Sequence, residues 1–168
     1  PPTKGGIGSV ARQYSDLLSD IGHKVTVLTR RVKSYKQDNV CDRYKVKYAY
    51  DVGISILSYI FNIELYKDYD GIILNDTASI YIAGLIFSKR KLNKSICIMH
   101  GSELEYIYLH PAIMKKLFLF QFFFNRTVKT CKKIVCVSDF LRNKVTSFYA
   151  KNNVLINDKC VTIYAGVR

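Results

Sequence analysis

Short apolar runs alternating with longer helical stretches are the feature that most narrows what this chain can fold into. Val25–Thr29, Tyr44–Tyr48, Gly71–Leu74, Ser95–Met99, Ile134–Val137 and Val161–Tyr164 read as strands. Between them Ser9–Ile21, Val52–Tyr66, Ser79–Lys89, Pro111–Lys132 and Asp139–Ala150 read as helices. Several of the strand runs are apolar almost throughout, as expected of strands covered on both faces. Strands of that kind, separated by helices, build βαβ units around a parallel sheet. In the first helix Val10, Tyr14, Leu17, Leu18 and Ile21 share one face, and Gly22 is placed to stop it. The chain shows neither an internal repeat nor a low-complexity linker, and its 168 residues match the length of about one domain.

The first helix is preceded by a glycine-rich turn containing Gly5, Gly6 and Gly8. Without a Cβ in the way, backbone N–H groups in such a turn can approach an anion closely. The start of the following helix adds unpaired donors and the positive end of its dipole, a combination that favours phosphate. A turn that merely connects two elements is the plainer alternative. Gly6-Ile7-Gly8-Ser9-Val10-Ala11 also satisfies the looser dinucleotide fingerprint G-x-G-x-x-A. The next strand runs into Thr29-Arg30-Arg31, where an Arg could hold the extra phosphate of NADP. An NADP-binding oxidoreductase domain is therefore a competing reading, though the Tyr-x-x-x-Lys pair of short-chain reductases is absent from the sequence. A turn of this type normally follows a first strand, so that strand is expected to precede Pro1.

Further segments, in order along the chain, carry a resemblance. They are Gly5-Gly6-Ile7-Gly8 with its helix, Gly22–Thr29, Asp70-Gly-Ile-Ile-Leu-Asn75-Asp76, and Met99-His100-Gly101-Ser102-Glu103. Val135-Cys-Val-Ser138-Asp139-Phe-Leu-Arg142 and Ile163-Tyr-Ala-Gly166-Val167-Arg168 complete the series. Together they resemble the N-terminal domain of family 4 glycosyltransferases over nearly the whole chain. Two places depart from the pattern. Asn75 stands where many relatives carry His, and the last turn has Ala165 and Arg168 in place of Asn and Asp.

The resemblance implies a Rossmann-like domain, residues 1–168, forming the acceptor-side half of a two-domain GT-B enzyme. Such enzymes transfer a sugar from a nucleotide donor, with retention of configuration, in the cleft between their domains. The donor is gripped mainly by a C-terminal domain through an E-x7-E segment. The only glutamates here are Glu64, Glu103 and Glu105, so that domain is expected elsewhere. The donor diphosphate is assigned to Gly5, Gly6, Ile7 and Gly8, whose N–H groups would stabilise charge growing on the leaving phosphate. His100, at the end of a parallel strand, is the catalytic candidate, since open α/β sheets bind ligands at that edge. Asn75, Asp76 and Glu103 are candidates for binding the acceptor. Helix capping is the alternative for polar residues at strand ends, and it is the expected role of Ser138. His23 reads as a turn residue and His110 as a surface one.

Charge points to acidic partners. Lys and Arg total 26 against 13 Asp and Glu, a net charge of +13. Basic clusters lie at Lys89, Arg90, Lys91 and Lys94, and around the apolar run Leu117–Phe124, flanked by Lys115, Lys116, Arg126, Lys129, Lys132 and Lys133. Eight residues are too few to span a bilayer, which needs about 20. Either the phenylalanines pack as core, or part of that face rests on an anionic membrane; a basic membrane-surface module is the non-enzymatic alternative. Nucleic acid is not expected, as no helix-turn-helix, zinc finger or ribonucleoprotein strand motif is visible. Five scattered cysteines without a C-x-x-C pair fit reduced thiols and no metal site. Cys97 and Cys136 fall in strands and are expected to be buried. The expected partners are a nucleotide sugar as donor, with no other cofactor, and a glycan or lipid-linked acceptor. The expected setting is the cytoplasm, at the inner face of the cell membrane, in bacterial surface polysaccharide or glycolipid assembly.

Overall fold

A computed structural model describes residues 6–30, 43–49, 62–109 and 118–164. The chain divides into two compact units, Pro1–Lys67 and Asp68–Arg168.

In the first unit, helix α1 (Gly6–Asp20) precedes strands β1 (Thr26–Arg30) and β2 (Lys45–Ala49), which pair in parallel with Val27 opposite Val46. Gly22 ends α1 as expected: the His23 N–H reaches back to the Leu18 carbonyl at 3.0 Å, and the Gly22 N–H donates to the Ser19 carbonyl. The buried side of α1 differs from the expected apolar face. Gly8 and Ser15 go inside, while Leu17 and Ile21 are exposed. Ser15 can be buried at little cost because its hydroxyl donates to the Ala11 carbonyl at 2.8 Å. Of the expected helix Val52–Tyr66, residues 52–61 lie outside the described residues, and the remainder is a 3₁₀ turn at Ile63–Tyr66. The buried Asn62 side chain caps that turn through the Glu64 N–H and also donates to the Tyr48 carbonyl at 3.3 Å.

The second unit is a parallel sheet of β3 (Ile72–Leu74), β4 (Ser95–Met99), β5 (Lys133–Cys136) and β6 (Cys160–Thr162), neighbours in chain order. Helices α2 (Thr77–Ile86), α3 (Lys89–Leu92), α4 (Phe120–Thr130) and α5 (Asp139–Lys151) connect or flank the strands, with a π turn at Glu105–Leu109. Ile80, Leu92, Cys97, Met99, Phe124, Val128, Ile134 and Val145 are buried in its core. The fold is α/β, with the parallel pairing expected of the alternating pattern.

The expected single helix Ser79–Lys89 is two. Phe87 turns extended after α2, and the Ser88 hydroxyl caps α3 by accepting from the Lys91 N–H at 3.3 Å. The break is sealed from another element. The Arg126 guanidinium on α4 donates to the Gly84 and Phe87 carbonyls, groups left without partners inside the helix. α2 and α4 cross closely at Gly84, where Thr127 donates to the Ile80 carbonyl at 2.8 Å. Tyr81 stacks on Phe120 with ring centroids 4.0 Å apart, and its hydroxyl donates to the Phe118 carbonyl.

α4 is also shorter than the expected Pro111–Lys132. Residues 110–117, with His110, Lys115 and Lys116, lie outside the described residues. Phe118 and Leu119 form a turn, with Leu119 in the left-handed region (φ +49°). Only part of the phenylalanine run is core. Phe124 is buried, whereas Phe118 and Phe122 are exposed. Four cysteines, Cys97, Cys131, Cys136 and Cys160, are buried free thiols, as expected for Cys97 and Cys136.

Candidate active site

The C-terminal edge of the second unit's sheet brings two of the three acceptor-side candidates, Asn75 and Glu103, to His100. β3 ends at Leu74 and continues into Asn75 and Asp76; its neighbour β4 ends at Met99 and continues into His100. The half-buried His100 ring reaches back across the strand ends. Its Nε2 lies 3.0 Å from the Asn75 backbone oxygen and 3.3 Å from Asn75 Oδ1. Glu103 is buried directly behind the same loop. Its Oε1 accepts from the His100 N–H at 2.6 Å and its Oε2 from the Gly101 N–H at 2.8 Å. Gly101 sits at φ +146°, a backbone state that residues with a Cβ rarely adopt, so this turn needs glycine.

Asp76 caps α2. Its Oδ1 accepts from the Ser79 N–H at 2.6 Å, and Ser79 Oγ in turn accepts from the Asp76 N–H at 3.1 Å, closing a capping box. One Asp76 oxygen and both Glu103 oxygens thus hold backbone. Ser138 caps α5 as expected, accepting from the Leu141 N–H at 3.2 Å.

Gly5 lies outside the described residues. Gly6, Ile7 and Gly8 form the first turn of α1 in the first unit, with Gly8 buried. Their donors therefore stand at the positive end of a helix 15 residues long. His23 is exposed in the turn after α1.

Two arrangements along the same edge were not anticipated. The Asp139 carboxylate at the start of α5 accepts from the Thr162 hydroxyl at 2.5 Å and from the Tyr164 hydroxyl. Those bonds hold the Asp139 carboxyl below its usual range, and the same contact pushes the Tyr164 phenol up. Asp139 lies 23 and 25 residues from these partners in sequence, so only the pairing of β5 with β6 joins them. The second arrangement is the Glu103 clamp, whose one trace in the sequence is an acidic residue three positions after the His of a His-Gly pair.

The basic cluster at the α3 turn is partly engaged within the fold. Lys94 Nζ pairs with Asp68 at 3.0 Å and donates to the Tyr69 carbonyl at 3.2 Å. Lys91 Nζ lies 4.6 Å from the centre of the Phe87 ring. Lys89 and Arg90 are exposed. No helix among the described residues is long and apolar enough to cross a membrane. Nor do those residues contain a group of three or more His, Cys, Asp or Glu side chains able to hold a metal ion.

No curated protein and no solved structure matches this chain. A family model does, described as Glycosyltransferase Family 4 and matching residues 4–168. The match spans almost the whole sequence, including the glycine-rich start and the His100 edge: the chain belongs to glycosyltransferase family 4, in the region of that family's N-terminal domain.

Proposed function

We propose that this chain is the acceptor-side half of a two-domain, retaining hexosyltransferase that uses a nucleotide-diphosphate sugar. The acceptor in this reading is a glycan or a lipid-linked glycan of bacterial surface polysaccharide or glycolipid assembly. The observation that carries it is the His100 ring held against Asn75 at the C-terminal ends of two adjacent parallel strands. Ligands of open α/β sheets gather at that edge. Asn75 and the second oxygen of Asp76 complete the polar set there, and they suit sugar hydroxyls, which both donate and accept.

Donor chemistry falls to Gly5, Gly6, Ile7 and Gly8. As the glycosidic bond to the nucleoside diphosphate breaks, charge grows on phosphate oxygens, and donors at a helix start stabilise that charge most in the transition state. In this reading a separate donor-binding domain grips the nucleotide, and the 168-residue chain alone is expected to transfer no sugar.

A peripheral site at the inner face of the membrane is part of the same reading. Phe118 (43% exposed), Leu119 (57%) and Phe122 (61%) stand out of the fold next in sequence to Lys115 and Lys116. Apolar side chains flanked by cations suit an anionic lipid surface.

The test is His100→Ala in the complete enzyme, assayed with a panel of nucleotide sugars. Turnover is expected to fall far more than thermal stability does. Unchanged turnover with a lowered melting temperature would make His100 a structural residue and overturn the assignment. Calorimetry with NADPH is the companion measurement. Binding no tighter than roughly millimolar is expected, about 4 kcal/mol, whereas micromolar affinity would favour the oxidoreductase reading.

A further inference from the structure

The hydrogen bonds around His100 determine which ring nitrogen is left for a ligand. A neutral imidazole carries one N–H and one bare, accepting nitrogen. Nε2 faces two oxygens of Asn75, the backbone carbonyl at 3.0 Å and Oδ1 at 3.3 Å. Both oxygens only accept, so the proton must sit on Nε2; a bare Nε2 would set lone pair against lone pair. Nδ1 is then the bare nitrogen, and it makes no hydrogen bond among the described residues. The backbone that carries the ring is held from behind. The buried Glu103 carboxylate holds the backbone N–H groups of His100 and Gly101 at 2.6 and 2.8 Å. The Val137 N–H also bonds the Met99 carbonyl at 3.3 Å, tying the end of β4 to the neighbouring strand.

We infer that Asn75 and Glu103 are positioning residues that fix His100 in its Nε2–H form and present Nδ1 to substrate as a hydrogen-bond acceptor. The inference rests on the glycosyltransferase reading for the identity of the substrate, and it narrows what His100 meets. A bare Nδ1 accepts from a hydroxyl and repels the oxygens of a phosphate, which carry lone pairs of their own. His100 therefore reads a hydroxyl of the sugar or of the acceptor, and the donor diphosphate is met elsewhere. Glu103 acts through His100 instead of binding the acceptor itself, because both its oxygens hold backbone.

Long-range proton–nitrogen correlation spectra of the chain, labelled with nitrogen-15 at histidine, test this in solution alkaline enough to leave imidazoles neutral. His100 is assigned among the three histidines by the signal lost in His100→Gln. The expected result is one tautomer, with a protonated Nε2 and a fully bare Nδ1. In Glu103→Ala the two nitrogen shifts are expected to move toward the average of interconverting forms. Glu103→Gln, which keeps the shape and one accepting oxygen, is expected to move them less, and it serves should the alanine variant fail to fold. A protonated Nδ1 in the unaltered chain would overturn the inference, as would shifts unmoved in both Glu103 variants.

In the complete enzyme, Glu103→Ala is expected to lower kcat about tenfold with a smaller change in KM, and Glu103→Gln to restore part of it. A tenfold rise in KM with kcat unchanged would also overturn the positioning role. The outcomes separate from those of the functional reading: a fixed Nε2–H form together with a catalytically silent His100 would uphold the tautomer and discard the transferase site.

Discussion

Gly84→Ala should be the most damaging single-methyl addition in the second unit. A Cβ built at this position falls 1.9 Å from the Phe123 carbonyl oxygen, 2.6 Å from its carbon and 2.7 Å from Thr127 Oγ1. Ordinary contact needs roughly 3.5 Å, so α2 and α4 would have to part by about 1.5 Å. The obstacle is backbone, which cannot rotate away as a side chain could. Parting the helices strains the bonds between them: Thr127 to the Ile80 carbonyl at 2.8 Å, Tyr81 to the Phe118 carbonyl at 3.1 Å, and Arg126 to the Phe87 carbonyl at 2.8 Å. Overpacking costs about 1–3 kcal/mol. Leaving one buried acceptor unmatched costs about 1–3 kcal/mol more. The better helix propensity of alanine returns about 1 kcal/mol. A net loss of about 3 kcal/mol follows, read as a lower urea midpoint by circular dichroism at unchanged slope. Gly71→Ala is the control, because a Cβ there meets nothing within 4 Å, and it should change stability by less than about 1 kcal/mol. A Gly84→Ala protein within about 1 kcal/mol of the unaltered one would refute the close crossing of α2 and α4.

Two further outcomes are expected. The Asp68 carboxyl is held low by Lys94, through a side-chain hydrogen bond first and charge second, and that of Glu105 by a side-chain hydrogen bond from Lys144 first and a backbone hydrogen bond second. A carboxyl depressed in the folded state contributes stability above its unfolded value and loses it as pH falls through the folded one. Melting temperature should therefore drop on acidification through and below the usual carboxylate range, less steeply in Asp68→Asn/Glu105→Gln; equal slopes would discount both pairs. Vesicle sedimentation is expected to show binding to anionic and not to neutral lipid, fading as salt shortens the screening length from about 10 Å at 0.1 M to about 3 Å at 1 M. Phe122→Ser and Lys115→Glu/Lys116→Glu should each weaken it, and equal binding to neutral vesicles would contradict the electrostatic part of the proposal.

Strands β4 and β5 were legible in the sequence because burial on both faces leaves a nearly continuous apolar run. Ser95–Met99 was located to the residue, and the other five strands to within a residue or two. Local chemistry likewise announced the stop at Gly22 and the cap at Ser138, since each acts on backbone within a few positions of itself. The elements that departed from expectation depend on distant partners. Ser88 is a local cap signal beside the break, but the carbonyls left open there are taken by Arg126, 42 residues from Gly84 and 39 from Phe87, which nothing nearby in sequence announces. The inner side of α1 could not be read from hydrophobicity, because Gly8 and Ser15 go inside while Leu17 and Ile21 remain out.

The same division runs through the candidate site. The alternation of strand and helix placed Asn75, Asp76, His100 and Glu103 at strand ends, and the order of the motifs named the family. Which oxygen holds which proton was beyond the sequence. The contact of His100 with Asn75 spans 25 residues and exists only because β3 and β4 lie side by side, while the Glu103 clamp depends on a loop folded back on itself. Periodicity records which faces are dry, a property of each segment alone. Hydrogen-bond direction depends on pairs of groups that only the tertiary fold brings within about 3 Å.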